Sequence, residues 1–385
     1  MKGRKNIMKA KIYKVKAYTN EIIRGKFRKI KDLRIKGMVD YPLVDLLIII
    51  MMGVMCGLEK SEQIVVYAKN KKLFLSQVFE INKIPSYITL NRILDMVDGE
   101  EVSEIIIEIM KMKIMKLGDI IAVDGKSIRS TIPEGKKNAA LQILTAYFTE
   151  SGVVLGQKYI TEKTNEIPVF QELLCYVNIK GKTITADAMH CQKDTCRMII
   201  AKGGNYILGL KKNHLTFYNS VEEFFKSPKN TDKIEIFETS VEKAHGRTEQ
   251  RIFYRINDPM QLDVAENWMG IKSIFAVRRI VTTKYETSDE TSYYISSLDS
   301  SPESLLHTVR EHWKIESLHW LLDVVFSEDD HVTASENAHK TLNILRKFAL
   351  LLHRTYIKEN NLKITLKNSM LDCLTNDDLI LKMCS

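Results

Sequence analysis

A short apolar run ending in a carboxylate constrains this chain more than any other feature. Ile120, Ile121, Ala122 and Val123, led in by Gly118 and Asp119, read as a buried strand that Asp124 and Gly125 break. An acid at the exit of a central strand lies where several elements converge, and Gly125 admits close approach of another backbone. Lys126, Ser127 and Arg129 follow, polar and basic, as if the carboxylate faced something anionic. By itself the stretch is also an ordinary Asp-Gly turn. The pattern recurs in Thr183 to Ala186, a strand ended by Asp187, although a lone Asp187 is equally a helix N-cap.

Around these runs the texture is mixed α/β. Asp119–Val123, Leu141–Thr149 and Val153–Tyr159 read as successive strands joined by turns at Pro133–Lys136 and Glu150–Gly152. Pro168–Val177 and Cys191–Lys202 read as helices, and Tyr206–Leu210 as a further strand. Residues 211–300 alternate in a strand-like way and carry many charges, as a β-rich insertion does. Ser301 and Pro302 signal a return to helix, followed by a second helix over Ala334–Tyr356 with Arg346, Lys347 and Arg354 on its polar face. The tail beyond Asn360 is weakly amphipathic.

The N-terminal third is helical. Tyr41–Cys56 is apolar on nearly all sides, as the central helix of a bundle is, with Pro42 near its start and Gly57 at its end. Ser61–Ala68 and Glu101–Met115 continue the unit. Between them Pro85 and Ser86 precede a helix with Arg92 on its surface and Ile88, Ile93 and Met96 on its apolar face. A turn, a capped helix and a surface Arg resemble a helix-turn-helix reader of DNA, although packing alone explains them too.

Charge is uneven. Residues 1–36 hold 14 Lys or Arg against two acids, Glu21 and Asp32, while the whole chain nets +9. A basic arm on a near-neutral body suits a polyanion, most often nucleic acid. The six cysteines form no CxxC pair, which argues against structural zinc and fits a reducing compartment. The most apolar segment, Leu43–Gly57, contains Asp45 and falls short of the roughly 20 residues a bilayer span needs.

Two strand-end acids need a third to hold a pair of hard cations such as Mg²⁺ or Mn²⁺, the arrangement used for phosphoryl transfer on nucleic acids. Glu311, Glu316, Asp323, Glu328, Asp329 and Asp330 are the candidates. Glu316 shares a helical face with His312, Trp313, Trp320 and Asp323, and an acid amid Trp and His is preferred to one on a solvated face. Asp323 is the runner-up. Trp313 and Trp320, seven residues apart, are read either as core packing or as a stacking platform for a base near the cut.

Several blocks together resemble the ISAs1 family of transposases, relatives of the IS4-type DDE enzymes and of H-repeat-associated proteins. They are DLR at Asp32, YPLVDLLIII at Tyr41, IPSYITLNRI at Ile84, VDGKSIR at Val123, TADAMHCQKD at Thr185, HGRTEQR at His245 and REHWKIESLHWLLDVVFSED at Arg310. The resemblance implies a ribonuclease H-like α/β core with Asp124, Asp187 and Glu316 as a two-metal catalytic triad. Arg247 and Arg251 then grip phosphates or form a salt bridge with Glu249. The wider group's Tyr, Arg and Lys around the glutamate are replaced here by Val309, His312 and Asp323, so the hairpin chemistry of some relatives is not implied.

The expected organisation is a basic arm over 1–36, a helical DNA-binding domain over 37–116 and the first part of the core over 117–210. A β-rich insertion over 211–300, core helices over 301–356 and a tail over 357–385 complete it. The expected activity is Mg²⁺-dependent cleavage and strand transfer at the terminal inverted repeats of an insertion sequence. Double-stranded DNA is the partner, contacted by Arg92, Lys126, Arg129, Arg247, Arg251, Trp313 and Trp320. A homo-oligomeric synaptic complex and a bacterial cytoplasmic, nucleoid-associated location follow from the same resemblance. A catalytically inactive DNA-binding relative and a non-transposing nuclease on the same core are the alternatives.

Overall fold

The computed structural model describes residues 21–131, 140–160, 166–244, 246–330 and 335–384. The expected turn at Pro133–Lys136 and His245 lie outside them. In chain order, helices α1 (Leu43–Met55), α2 (Ser61–Asn70), α3 (Lys72–Phe79), α4 (Tyr87–Met96) and α5 (Gly99–Lys113) come first. Strands β1 (Ile120–Ile128), β2 (Leu141–Phe148) and β3 (Val154–Ile160), α6 (Glu166–Tyr176), β4 (Thr183–Ala186), α7 (Lys193–Ala201) and β5 (Asn205–Leu210) follow. Next are α8 (Leu215–Lys226), β6 (Ile234–Glu238), β7 (Glu242–Ala244), β8 (Arg247–Ile256), β9 (Ser273–Thr282) and β10 (Thr287–Ser296). The chain ends in α9 (Pro302–Phe326), α10 (Glu336–Glu359), α11 (Leu366–Thr375) and α12 (Asp377–Cys384).

The chain divides into two compact units: a helical one (1–116, 127–142 and 318–385) and a sheet one (117–126 and 143–317). In the helical unit α1 is buried along nearly its whole length. Its end is set by Gly57 at φ +73°, where Leu58 N–H reaches the Gly53 carbonyl (3.0 Å) and Gly57 N–H that of Val54 (2.9 Å). That left-handed cap is one glycine adopts without penalty. Helix α10 is buried on every side from Ala338 to His353. The polar face expected at Arg346 and Lys347 is therefore not a solvent face; both side chains are buried, and Arg346 pairs with the wholly buried Glu328 at 3.3 Å. Ser86 caps α4 as expected, but Ile88 is exposed, and the helix packs through Leu90, Ile93 and Leu94. The basic arm is packed over part of its described length: Ile23, Phe27 and Ile30 are buried, Arg24 pairs with Asp45 and Lys26 with Glu108, whereas Leu33 and Ile35 are exposed.

The sheet unit is built on a ten-stranded sheet in the order β3-β2-β1-β4-β5-β10-β9-β8-β6, with β7 paired to β8. Strands β1, β4 and β5 are parallel neighbours, and their continuous apolar runs are what burial on both faces demands. One expectation changes here. Strand β1 does not stop at Asp124 but runs on to Ile128, with Lys126 and Ile128 buried. Residues 211–300 are β-rich as expected, with helix α8 near their start, and β10 pairs antiparallel with β5 so that their strands carry the core sheet onward. No helix among the described residues is long and apolar enough to cross a membrane.

In the helical unit, His353 is fully buried between Met55 and Ser369. A carbonyl only accepts, so Nε2 donates to Met55 O (2.8 Å) and Nδ1 accepts from the Ser369 hydroxyl (2.8 Å). Burial holds this imidazole below its ordinary pKa, so the unfolded chain takes up the proton first. Stability should therefore be level above about pH 6.5 and fall below it until the folded-state value is passed. His353→Asn should flatten that segment of the curve while costing about 1–3 kcal/mol at neutral pH. Urea melts of both proteins between pH 5 and 8 check this, and an unchanged slope in the variant would remove His353 as the cause.

Candidate active site

The pairing of β1 with β4 aligns Val123 with Ala186, so Asp124 and Asp187 are each the next residue on adjacent parallel strands. The carboxyl ends of such strands are where α/β sheets hold their ligands. Strand β5 continues the same edge and is followed by Lys211, a site residue the sequence reading missed. The strand-end rule that found both aspartates would also have found it.

Helix α9 brings the third acid. Leu305, Leu306 and Val309 pack with Ile207, Phe253, Phe275 and Val277 in one hydrophobic cluster on the sheet. Leu305, Val309, His312 and Glu316 follow one another at four- and three-residue steps, a single stripe along the helix. The stripe packs first and turns polar as it reaches the strand ends. Thr185 Oγ1 lies 3.0 Å from His312 Nδ1, which leaves Nε2 3.7 Å from Asp187 Oδ1, too far for a hydrogen bond. That buried Nε2 has no hydrogen-bond partner among the described residues.

The electrostatics tie the three acids together. Glu316 is open to solvent along a cleft but crowded. Desolvation is the largest cause lifting its carboxyl above the ordinary value; Asp124 and Asp187 add to it, and His312 and Lys211 oppose it. Asp187 is held below its ordinary value chiefly by the adjacent His312. The cleft, of about 680 Å³, is lined by Asp187, Glu316, His312, Trp313 and Lys211 on one side and by arginines of β8 and β9 on the other. Among the described residues no three His, Cys, Asp or Glu side chains form a ready-made metal cage. The donor set nonetheless suits a hard divalent cation: three carboxylates, of which Glu316 is raised by burial and then by the charge of the other two, offer the oxygens such an ion prefers.

The other candidate acids have structural work. Glu311 is buried and pairs with Lys314 (2.6 Å), Glu328 with Arg346, and Asp329 accepts the Arg129 N–H (3.1 Å). Asp323 is half-buried and lies two turns beyond Glu316, in the part of α9 assigned to the helical unit. Arg92, Arg129 and Trp320 belong to that unit as well. Lys126 is buried and does not line the cleft, whereas Arg247 and Arg251 do. Gly125 lies close to the first residue of α6. A Cβ there would meet Glu166 Oε1 at 2.9 Å, and the same oxygen lies 3.1 Å from Nε2 of the buried His190.

Residues 116–352 match the family model described as the transposase DDE domain, and residues 25–110 match the model of the region associated with it. A protein named as a transposase, YncI of Escherichia coli O157:H7, is 35% identical over 335 residues, spanning 84% of this chain and 85% of that protein. The H repeat-associated protein YhhI of Escherichia coli K12 is 33% identical over 330 residues, 83% of this chain and 87% of its own length. A cryo-EM structure of the piggyBac transposase synaptic complex with hairpin DNA aligns over 95% of this chain and 78% of its own, at 11% identity and a TM-score of 0.46, too remote to carry an argument.

Both helix-borne indoles are exposed, Trp313 by 56% and Trp320 by 60%, which overturns the reading of them as core. Trp313→Ala and Trp320→Ala should each melt close to the parent, within about 1 kcal/mol, instead of losing the 3–5 kcal/mol typical of a buried tryptophan. Thermal melts of the two variants check it. A loss of several kcal/mol in either would mean that indole is covered in solution.

Proposed function

The chain belongs to the DDE transposases of the H-repeat-associated, ISAs1-type family, and from that premise we propose that it cleaves and joins DNA strands at the ends of an insertion sequence. The observation that supports this most is the convergence on Glu316. Its carboxyl is raised first by burial and then by the charges of Asp124 and Asp187, which follow the paired residues Val123 and Ala186 of two adjacent parallel strands. Asp124, Asp187 and Glu316 would hold Mg²⁺ or Mn²⁺, which when bound activates the attacking oxygen and stabilises the leaving one.

The chain's own residues supply orientation and grip. Thr185 fixes the His312 ring, and His312 steadies the charge on Asp187. Trp313 offers an exposed aromatic face in the same cleft, suited to stacking on a base. Lys211 and the arginines across the cleft supply positive charge for the phosphates of double-stranded DNA, the partner in this reading. Exposed Arg92 on the Ser86-capped helix α4 is the candidate contact to the terminal inverted repeats. Pairing of two element ends in a homo-oligomer belongs to the same proposal.

Asp124→Asn should lower Mg²⁺-dependent nicking of an element-end duplex by about a hundredfold or more while leaving its affinity for that duplex within a fewfold. Gel-based cleavage and anisotropy, run side by side, measure both. Equal nicking by variant and parent would place the chemistry elsewhere. A parent that binds DNA but never cuts it would make the protein a binding factor only. Strand joining by the parent separates a transposase from a simple nuclease.

A further inference from the structure

The wall of the cleft facing the carboxylates carries the opposite charge, and one buried acid organises it. Arg247, Glu249 and Arg251 recur on one face of β8 at the two-residue period of a strand. Arg279 on β9 stands directly opposite Arg251, a like-charged cross-strand pair that is unfavourable by itself. Glu249 resolves it. Its carboxylate accepts from Arg279 Nε (2.7 Å) and Nη2 (3.2 Å) and from Arg251 Nη2, and Arg247 Nη2 lies 3.7 Å away. Glu249 is only 7% exposed, whereas the side chains of Arg279 and Arg247 remain 38% and 49% open to solvent. Glu290 faces Arg279 from β10, and Lys211 and Arg310 add to the basic lining.

A buried carboxylate needs a counter-charge, and Arg251, itself largely buried, already supplies one from the same strand. Three converging on it leave positive charge in excess, with N–H groups still free to donate. Glu242 on β7 sits at the margin of this cluster, 4.0 Å from Arg251 Nη1. It is exposed and binds Arg310 from outside, at 2.8 and 3.2 Å, by the fork geometry a phosphate also uses.

We propose that Glu249 is a positioning residue, which holds Arg279 and Arg247 at a set spacing so that their free N–H groups meet consecutive phosphates of the DNA strand entering the cleft. This rests on the transposase reading above. The expected sign is unusual. Removing a negative charge beside DNA ordinarily strengthens binding, but removing Glu249 releases the guanidiniums it aims and weakens binding. Removing Glu242 frees Arg310 and leaves binding equal or tighter.

The test is anisotropy of a fluorescein-labelled 30-bp duplex across a KCl series, in EDTA so that no strand is cut, with Glu249→Gln, Glu242→Gln, Arg279→Gln and the 249/279 double variant. Glu249→Gln should bind about fivefold or more weakly, with a log–log salt slope shallower by about 0.9 for each phosphate no longer neutralised. The double variant should be no weaker than Glu249→Gln alone, since that change already releases Arg279 from its phosphate. Glu249→Gln binding as tightly as the parent, or more tightly, overturns the proposal. So does strict additivity in the double variant. Should Glu249→Gln melt well below the parent, Arg279→Lys answers in its place, because it keeps the charge and loses the fork: weaker binding supports the proposal and unchanged binding overturns it. A parent with no salt-dependent DNA binding would defeat the transposase reading and this proposal with it, a result distinct from a parent that binds and a Glu249 variant that binds equally well.

Discussion

The parallel pairing of β1 with β4 is the constraint on which the candidate site depends. Four backbone-aligned residue pairs, Ile120 with Thr183 through Val123 with Ala186, decide that Asp124 and Asp187 leave the sheet side by side. No side-chain interaction is needed to bring these like charges together; the ladder does it, and the buried apolar residues behind them make the register expensive to change. A slip of one residue would set Asp124 level with Ala186 or with Ala188 and so separate the two acids.

What the sequence made legible follows from this locality. Both aspartates, their strands and the Ser86 cap were readable because the signal lies within a few residues of each feature. Glu316 needed more: its helical stripe with Val309 and His312 is local, but the choice among six acids rested on aromatic company and family resemblance. The structural partners of Glu311, Glu328 and Asp329 show why the others stand apart.

Long-range pairing was not legible. The charged, strand-like texture of residues 211–300 was readable, but nothing in its composition says that β10 closes on β5 and carries the core sheet onward. Buried charge defeated the reading in the same way. Glu249 finds Arg279 30 residues away and Arg346 finds Glu328 18 residues away, so each looks like a solvated residue until its partner is placed. The two tryptophans are the converse, large apolar groups left in water, which the rule that indoles are covered does not anticipate.

The continuity of the sheet turns it into a ruler. From β4, which ends in Asp187, the order runs through β5 and β10 to β9 and then β8, so Arg279 lies three strand steps from the aspartate's strand and Arg251 four. Neighbouring strands are about 4.8 Å apart, which makes these steps about 14 and 19 Å. Measured against the rise of a duplex, about 3.4 Å per base pair, they correspond to roughly four and six base pairs. If the acids cut and the arginines hold, as proposed, the lateral part of the interval between them is set in whole strands. A relative could lengthen that interval only by adding a strand between β5 and β8, while changes confined to loops would leave the footprint where it is.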